Sequence, residues 1–203
     1  NADPGAEDSV VASFDVAGGL AKLPEVLQGR WNSKNVTLAE ARLNDGQRLL
    51  AFNDLFIGQT GHTSARYRIE FGGSSEDQSS SGIIVSTGAG STGWMRSVFV
   101  GAHGIVGNGH SRDDDSTGFP GSSFDWSADE LVFAVREPWP SRTTGTSVVA
   151  GRIPRGQTLR VVSRMPKDGV VFSDGVPEDA VAFNSGAVAE VRQSKKKARL
   201  VAR

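Results

Sequence analysis

The sequence reads as a mostly β protein, an antiparallel β-sandwich of many short strands with one or two short helices. Three observations carry that reading. Glycine supplies 25 of the 203 residues, which suits many tight turns and does not suit a helical bundle. Residues 65–71 alternate strictly, with Ala65, Tyr67, Ile69 and Phe71 apolar and Arg66, Arg68 and Glu70 charged, as in a half-buried antiparallel strand. From residue 131 onward, short apolar runs follow one another closely with turn signals between them, a spacing that fits a sandwich or barrel better than βαβ units.

Taken in order, residues 9–16 predict a short strand. Residues 18–29 hold Leu20, Leu23, Val26 and Leu27 at helical spacing, so a short helix is expected there, interrupted early by Pro24. Residues 36–43 look extended. Asn44-Asp45-Gly46 supplies the Asp-Gly pair of a tight hairpin, and 47–58 is expected to return as one strand. After the 65–71 strand, 72–80 reads as a polar turn. Residues 82–86 are short, β-branched and continuously apolar, so a central strand is expected. A glycine-rich loop follows, and 92–106 has helical character. Residues 107–125 are polar and rich in turn formers, which predicts a mobile surface loop. The remaining strands are expected at 131–136, 147–153, 158–164, 170–172, 181–183, 187–192 and 198–201, divided by Pro154-Arg155-Gly156 and Asp174-Gly175. No internal repeat is present, and 1–203 is expected to form a single domain with its own core.

Hydrophobic residues make up 37% of the chain and charged residues 22%, and the formal net charge is -1. No long-range field therefore draws it to nucleic acid or to an anionic membrane. There is no cysteine, so disulfides and thiolate metal sites are excluded. That fits a reducing cytoplasm, the expected location, and is also compatible with a secreted bacterial protein. No apolar run approaches the roughly 20 residues of a membrane helix, and no basic start with an apolar stretch marks a signal peptide. The chain opens on Asn1 rather than methionine, so a removed leader, a tag or a whole preceding domain is expected; composition does not choose among them.

The glycine-rich loop is the first candidate for chemistry. Gly88-Ala89-Gly90-Ser91-Thr92-Gly93 fits G-x-G-x-x-G between an expected strand and an expected helix. Such a loop lets backbone N–H groups approach a phosphate at a helix N-terminus, and Ser91 and Thr92 add hydroxyl donors. A Rossmann site needs a parallel βαβ unit and an acidic residue about 20 positions on, at the end of the next strand. Asp113 has the spacing but sits in the polar loop, and the neighbouring strands look antiparallel. The plain alternative is a glycine turn that only permits tight packing.

The wider context of the loop is more specific. Residues 80–94, with Ser81-Gly82, the apolar run Ile83-Ile84-Val85, then Ser86-Thr87 and Gly90-Ser91-Thr92-Gly93-Trp94, resemble the D-G, apolar run, S-T-x-x-G-S-T-A-Y pattern of the NAD kinases. About thirty residues earlier, Phe52-Asn53-Asp54-Leu55-Phe56-Ile57 is similar to that family's N-E and apolar strand. Phe172-Ser173-Asp174-Gly175-Val176 looks like its late D-G turn, and Asn1 is similar to the asparagine that closes its G-V-N strand. The resemblance covers nearly the whole chain. It points to a divergent bacterial branch of the NAD kinase-like family, in the wider ATP-NAD kinase and diacylglycerol kinase-like superfamily, whose members are sometimes called sugar kinases.

The resemblance implies the β-sandwich C-terminal domain of such an enzyme, with the N-terminal α/β domain absent. In the full protein NAD would bind between the two domains as substrate. The aspartate of a G-G-D-G motif, missing from these residues, would take the proton of the adenosine ribose 2′-hydroxyl. ATP with a divalent cation such as Mg, or polyphosphate, would donate the phosphoryl group. By the resemblance Asn53 contacts adenine and Asp54 accepts from ribose hydroxyls, as a short carboxylate can from two vicinal donors. Thr92 binds the adenine end, and Gly93, Trp94 and Ser97 line the site near the phosphates, Trp94 as an apolar wall. Thr87, Gly90 and Ser91 belong to the same binding motif. Ser81 stands where many members carry an aspartate toward the nicotinamide. Asp54 replaces a glutamate, and Gly93 and Trp94 replace alanine and tyrosine. Arg136-Glu137-Pro138-Trp139-Pro140-Ser141 differs from the usual arginine-proline stretch. The fragment alone is expected to be inactive, since half the cleft and the base are elsewhere. Assembly into a homo-oligomer through the β domain is also implied. A non-catalytic oligomerisation or small-ligand-sensing domain, or a related sugar kinase, is the rival reading.

Other motifs carry less. Asp113-Asp114-Asp115-Ser116-Thr117-Gly118 begins like a calcium loop, but Phe124 occupies the place of the closing glutamate. His110 beside it invites a metal reading, but a solvated loop is expected there; His62 and His103 have no partner at ligand spacing, so no metal site is expected. Gly90-Ser91-Thr92 does not form the G-x-S-x-G elbow of a serine hydrolase. The basic run 194–199 is short and lacks interleaved aromatics, so a solvated turn between strands is expected.

Overall fold

The computed structural model describes residues 14–106 and 123–201. Most of the strand expected at 9–16 lies outside them. Within them, Phe14 and Asp15 are not extended into a strand, and Val16 opens helix α1 (Val16–Leu27). The Asp15 carboxylate accepts the Gly18 N–H at 2.7 Å, an N-cap that fixes the start. Pro24 sits inside α1 without ending it. The helix runs one more turn and stops at Gly29, whose φ of +72° is the left-handed exit that glycine permits.

Two six-stranded sheets follow, every neighbouring pair antiparallel. The strands are β1 (Ser33–Leu43), β2 (Arg48–Ala51), β3 (Asp54–Gln59), β4 (Ala65–Phe71), β5 (Ser74–Ser80), β6 (Ile83–Ser86), β7 (Glu130–Val135), β8 (Ala150–Pro154), β9 (Leu159–Ser163), β10 (Gly169–Ser173), β11 (Val176–Ala182) and β12 (Val188–Val201). One sheet has the order β2-β1-β12-β9-β4-β5 and the other β11-β10-β3-β6-β7-β8. A single turn of 3-10 helix (Gly90–Thr92) and helix α2 (Trp94–Val106) lie between β6 and β7. No described helix is long and apolar enough to cross a membrane.

The period of two sorts the side chains. Ala39, Ala41, Leu55, Ile57, Tyr67, Ile69, Ile83, Val85, Leu131 and Phe133 point between the sheets into one core. Phe56, Ile84, Val132 and Ala134, on the opposite face of β3, β6 and β7, are covered by Trp94, Met95, Val98 and Phe99 of α2. That second cover is why β6 reads as a continuous apolar run, whereas β4, with charge on its far face, alternates.

The structure corrects four local expectations. Residues 47–58 do not form one return strand: the chain breaks at 52–53 and passes from β2 in one sheet to β3 in the other. Residues 72–80 are not a turn throughout. Gly72 and Gly73, with φ of +58° and +83°, make the turn, and Ser74–Ser80 is strand β5. Its polar residues have low strand propensity, but pairing with β4 along its length overrides that. Its outer edge is also covered, since Trp139 N–H and Gly145 N–H donate to the carbonyls of Ser79 and Asp77, and the Glu76 carboxylate takes Ser147 N–H and Val148 N–H. The expected strands 187–192 and 198–201 join as β12, so 194–199 is strand rather than turn. A bulge opposite Thr37 and Ala39 absorbs the surplus residues, and the Lys197 ammonium donates to Thr37 Oγ1 and Asp129 Oδ1, both at 2.7 Å. Of the loop expected at 107–125, residues 107–122 lie outside the described residues, as do His110 and Asp113 to Asp115.

Candidate functional site

The break at 52–53 brings three segments together. Thr87 N–H donates to the Asn53 carbonyl at 2.9 Å, and Thr87 Oγ1 donates to the Phe52 carbonyl at 2.5 Å. Gly90 N–H in turn donates to Thr87 Oγ1 at 3.2 Å. The polar pair Asn53-Asp54 and the glycine loop are therefore stitched to one another. The third segment is the Asp174-Gly175 turn between β10 and β11, whose side chain reaches the backbone of 52–54.

The glycines of the loop have two different tasks. A Cβ on Gly90 would stand 2.2 Å from the Asn53 carbonyl oxygen, and one on Gly88 would stand 2.3 Å from the Asp125 carbonyl oxygen. Both are glycine because protein backbone packs there. Gly93 is exposed, and a Cβ would meet only Gly90 O at 3.5 Å. Ser91 is buried and bonded to the Gly88 carbonyl at 2.7 Å. Thr87 and Gly90 are likewise buried. The polar groups of Thr87 and Ser91 thus hold the loop, while Thr92, Gly93 and Ser97 remain accessible at the entry to α2.

Asp54 is 8% exposed and shares a face of β3 with Phe56. Burial first, and the charge of Asp174 second, push its carboxyl from the ordinary 3.8 up to about 6. Asn53 beside it is half-buried. Trp94 stacks on Phe56 with ring centroids 5.4 Å apart and planes 14° from parallel. The Arg136 guanidinium lies 5.3 Å over the Trp94 ring, and Phe56 continues the stack to Phe172 at 4.9 Å. Trp94 is thus built into an aromatic column. Ser81 stands apart: it precedes β6, at the opposite end of that strand from Ser86. Asp174 was legible in the sequence only as part of a D-G turn. Its side-chain role at 52–54 depends on contacts across more than a hundred residues, which no local pattern signals.

Neither a protein-family model nor a curated protein sequence matches this chain. Among solved structures, yeast NADH kinase in complex with NADH superposes on 96% of this chain and 51% of its own, with a TM-score of 0.67 and 17% sequence identity. The fold is NAD kinase-like. This chain spans about half the length of the yeast kinase. At this identity the likeness shows the fold and assigns no residue its role.

Proposed function

We propose that this chain is the nucleotide-binding β domain of an NAD kinase-like phosphotransferase, with the corner formed by Asn53-Asp54 and the 87–94 loop as its ligand site. The observation that carries the reading is that corner within an NAD kinase-like fold: a nearly buried carboxylate, its pKa raised to about 6, beside a glycine-rich entry to a helix. Asn53 reads the adenine, Asp54 accepts from the vicinal ribose hydroxyls, and Thr92 binds the adenine end. Gly93, Trp94 and Ser97 face the phosphates at the N-terminus of α2, where the helix dipole favours negative charge. Thr87, Gly90 and Ser91 support these groups from beneath, and Ser81 serves the nicotinamide end of an extended ligand.

The rest of the reaction belongs to an α/β domain carrying the base that deprotonates the ribose 2′-hydroxyl, with ATP or polyphosphate as donor. In-line phosphoryl transfer needs positioning and charge neutralisation, and this domain contributes the positioning. Among the described residues no three His, Asp or Glu side chains cluster to hold a metal ion. The isolated chain binds and does not turn over.

Calorimetry with NADH, ATP and a panel of sugars tests the ligand class; a chain that takes a sugar and no dinucleotide is a sugar kinase domain instead. Thr92→Val is expected to weaken NADH binding about tenfold through one lost hydrogen bond while leaving the melting temperature unchanged. Equal affinity in the variant would remove Thr92 from the site.

Assembly through the β domain belongs to the same reading. Val16, Leu20, Leu23 and Leu27 of α1 are 58, 66, 47 and 78% exposed, and their spacing of four, three and four is that of a helix-pairing seam. A second copy of the chain presents the same seam, so a twofold pairing is self-complementary.

A further inference from the structure

At 52–54 the chain leaves one sheet and enters the other. Asp174 collects the N–H groups of this crossover. Its Oδ2 accepts from Phe52 N–H at 2.8 Å, and its Oδ1 accepts from Asn53 N–H at 2.6 Å and Asp54 N–H at 3.2 Å. Its own N–H returns to the Asp54 carbonyl at 2.9 Å. Asp174 and Gly175 have φ of +53° and +71°, the paired left-handed conformation of a tight hairpin turn, and this aims the side chain at the crossover. A carboxylate has the acceptor capacity for three donors; an amide would bring one oxygen and an opposing N–H pair.

We propose that Asp174 is a positioning residue of the dinucleotide site, clamping the backbone of Phe52, Asn53 and Asp54 so that the Asn53 amide and the Asp54 carboxylate meet the ligand in one fixed orientation. The inference rests on the ligand reading above. Asp174 does not itself touch the ligand. The three N–H groups that the Asp174 carboxylate collects come with a second negative charge beside the nearly buried Asp54. Like charges brought together disfavour ionisation, and the structure tolerates this at Asp54. The charge adds to the burial that already raises the Asp54 pKa.

The test uses the whole chain with Asp174→Ala and Asp174→Asn. Asparagine tolerates the left-handed turn, keeps one acceptor oxygen and removes the charge. In Asp174→Ala, amide exchange at Phe52, Asn53 and Asp54 is expected to accelerate at least about tenfold while Ile57 and Val85 keep their protection, and the NADH Kd is expected to rise about tenfold or more. In Asp174→Asn, the Asp54 carboxyl followed by carbon NMR is expected to titrate below the wild-type midpoint of about 6, and the pH midpoint of NADH binding is expected to fall with it. Unchanged exchange at 52–54 in the alanine variant, or an unmoved Asp54 titration in the asparagine variant, overturns the clamp. A wild-type chain that binds no NADH refutes the ligand reading, while exchange and titration still decide the clamp.

Discussion

A carboxylate with 8% of its surface exposed is a cost to the fold. At about 1.4 kcal/mol per pKa unit, the rise of Asp54 from 3.8 to about 6 amounts to on the order of 2–3 kcal/mol when the group is ionised. The sign follows from proton binding. Between the unfolded and folded pKa values the native state holds more protons, so this destabilisation is complete above about 6 and disappears as the pH falls toward 4. Glu76 behaves oppositely: backbone and side-chain donors hold its carboxyl below the ordinary value despite the desolvation that opposes them, so its contribution is present at neutral pH and lost on acidification. Asp54→Asn is therefore expected to be more stable than wild type by about 2 kcal/mol near pH 8, with the difference shrinking toward pH 4, as read by denaturant unfolding across that range. The same variant is expected to lose NADH binding. A variant less stable than wild type at pH 8 would mean that Asp54 is satisfied as an anion. Asn53 and Asp54 stood out in the sequence through their resemblance to the N-E motif of the NAD kinases. Their burial did not, because it comes from the loop at 87–90 and the turn at 174–175.

The loop from Gly88 to Gly93 shows how one motif divides its work. Its first two glycines let backbone meet backbone, and its third leaves space at the surface. Gly90→Ala is expected to cost about 3 kcal/mol, because a Cβ 2.2 Å from the Asn53 carbonyl forces main chain to move. Gly93→Ala, with only an ordinary contact at 3.5 Å, is expected to change stability by less than about 0.5 kcal/mol. Chemical denaturation of the pair checks both values; equal losses would mean the loop is not packed as described. The pattern G-x-G-x-x-G was visible from the start, and the tight-packing reading of it holds at Gly88 and Gly90. β4, by its alternation, and β6, by its continuous apolar run, were equally visible. Strand β5 was not, since its serines and acids acquire strand structure from β4 and from the 139–148 segment that closes its edge.

Across the molecule the two helices have different fates. Trp94, Met95, Val98 and Phe99 of α2 are spent on the outer face of β3, β6 and β7. Helix α1 buries none of its residues against the described chain. Four exposed apolar side chains in one stripe are a liability in a monomer and an asset in an interface. The wild-type chain is expected to sediment as a dimer or larger. Leu20→Glu combined with Leu27→Glu is expected to sediment as a monomer with a melting temperature within about 2 °C of that of the folded monomer, since no core contact is lost. A strictly monomeric wild type contradicts the pairing.

Composition, alternation and turn residues were sufficient for an all-antiparallel β body, because a strand's two faces and a Gly-containing turn are written within a few neighbouring residues. They marked the glycine spacing at 88–93, whereas 53–54 stood out only through its resemblance to a family motif. They could not say where the chain changes sheets, which glycines meet backbone, or that Asp174 reaches a segment 120 residues before it. Those outcomes depend on which distant strands lie side by side, and that is settled when two sheets close on a shared core, through contacts that no local stretch of sequence contains.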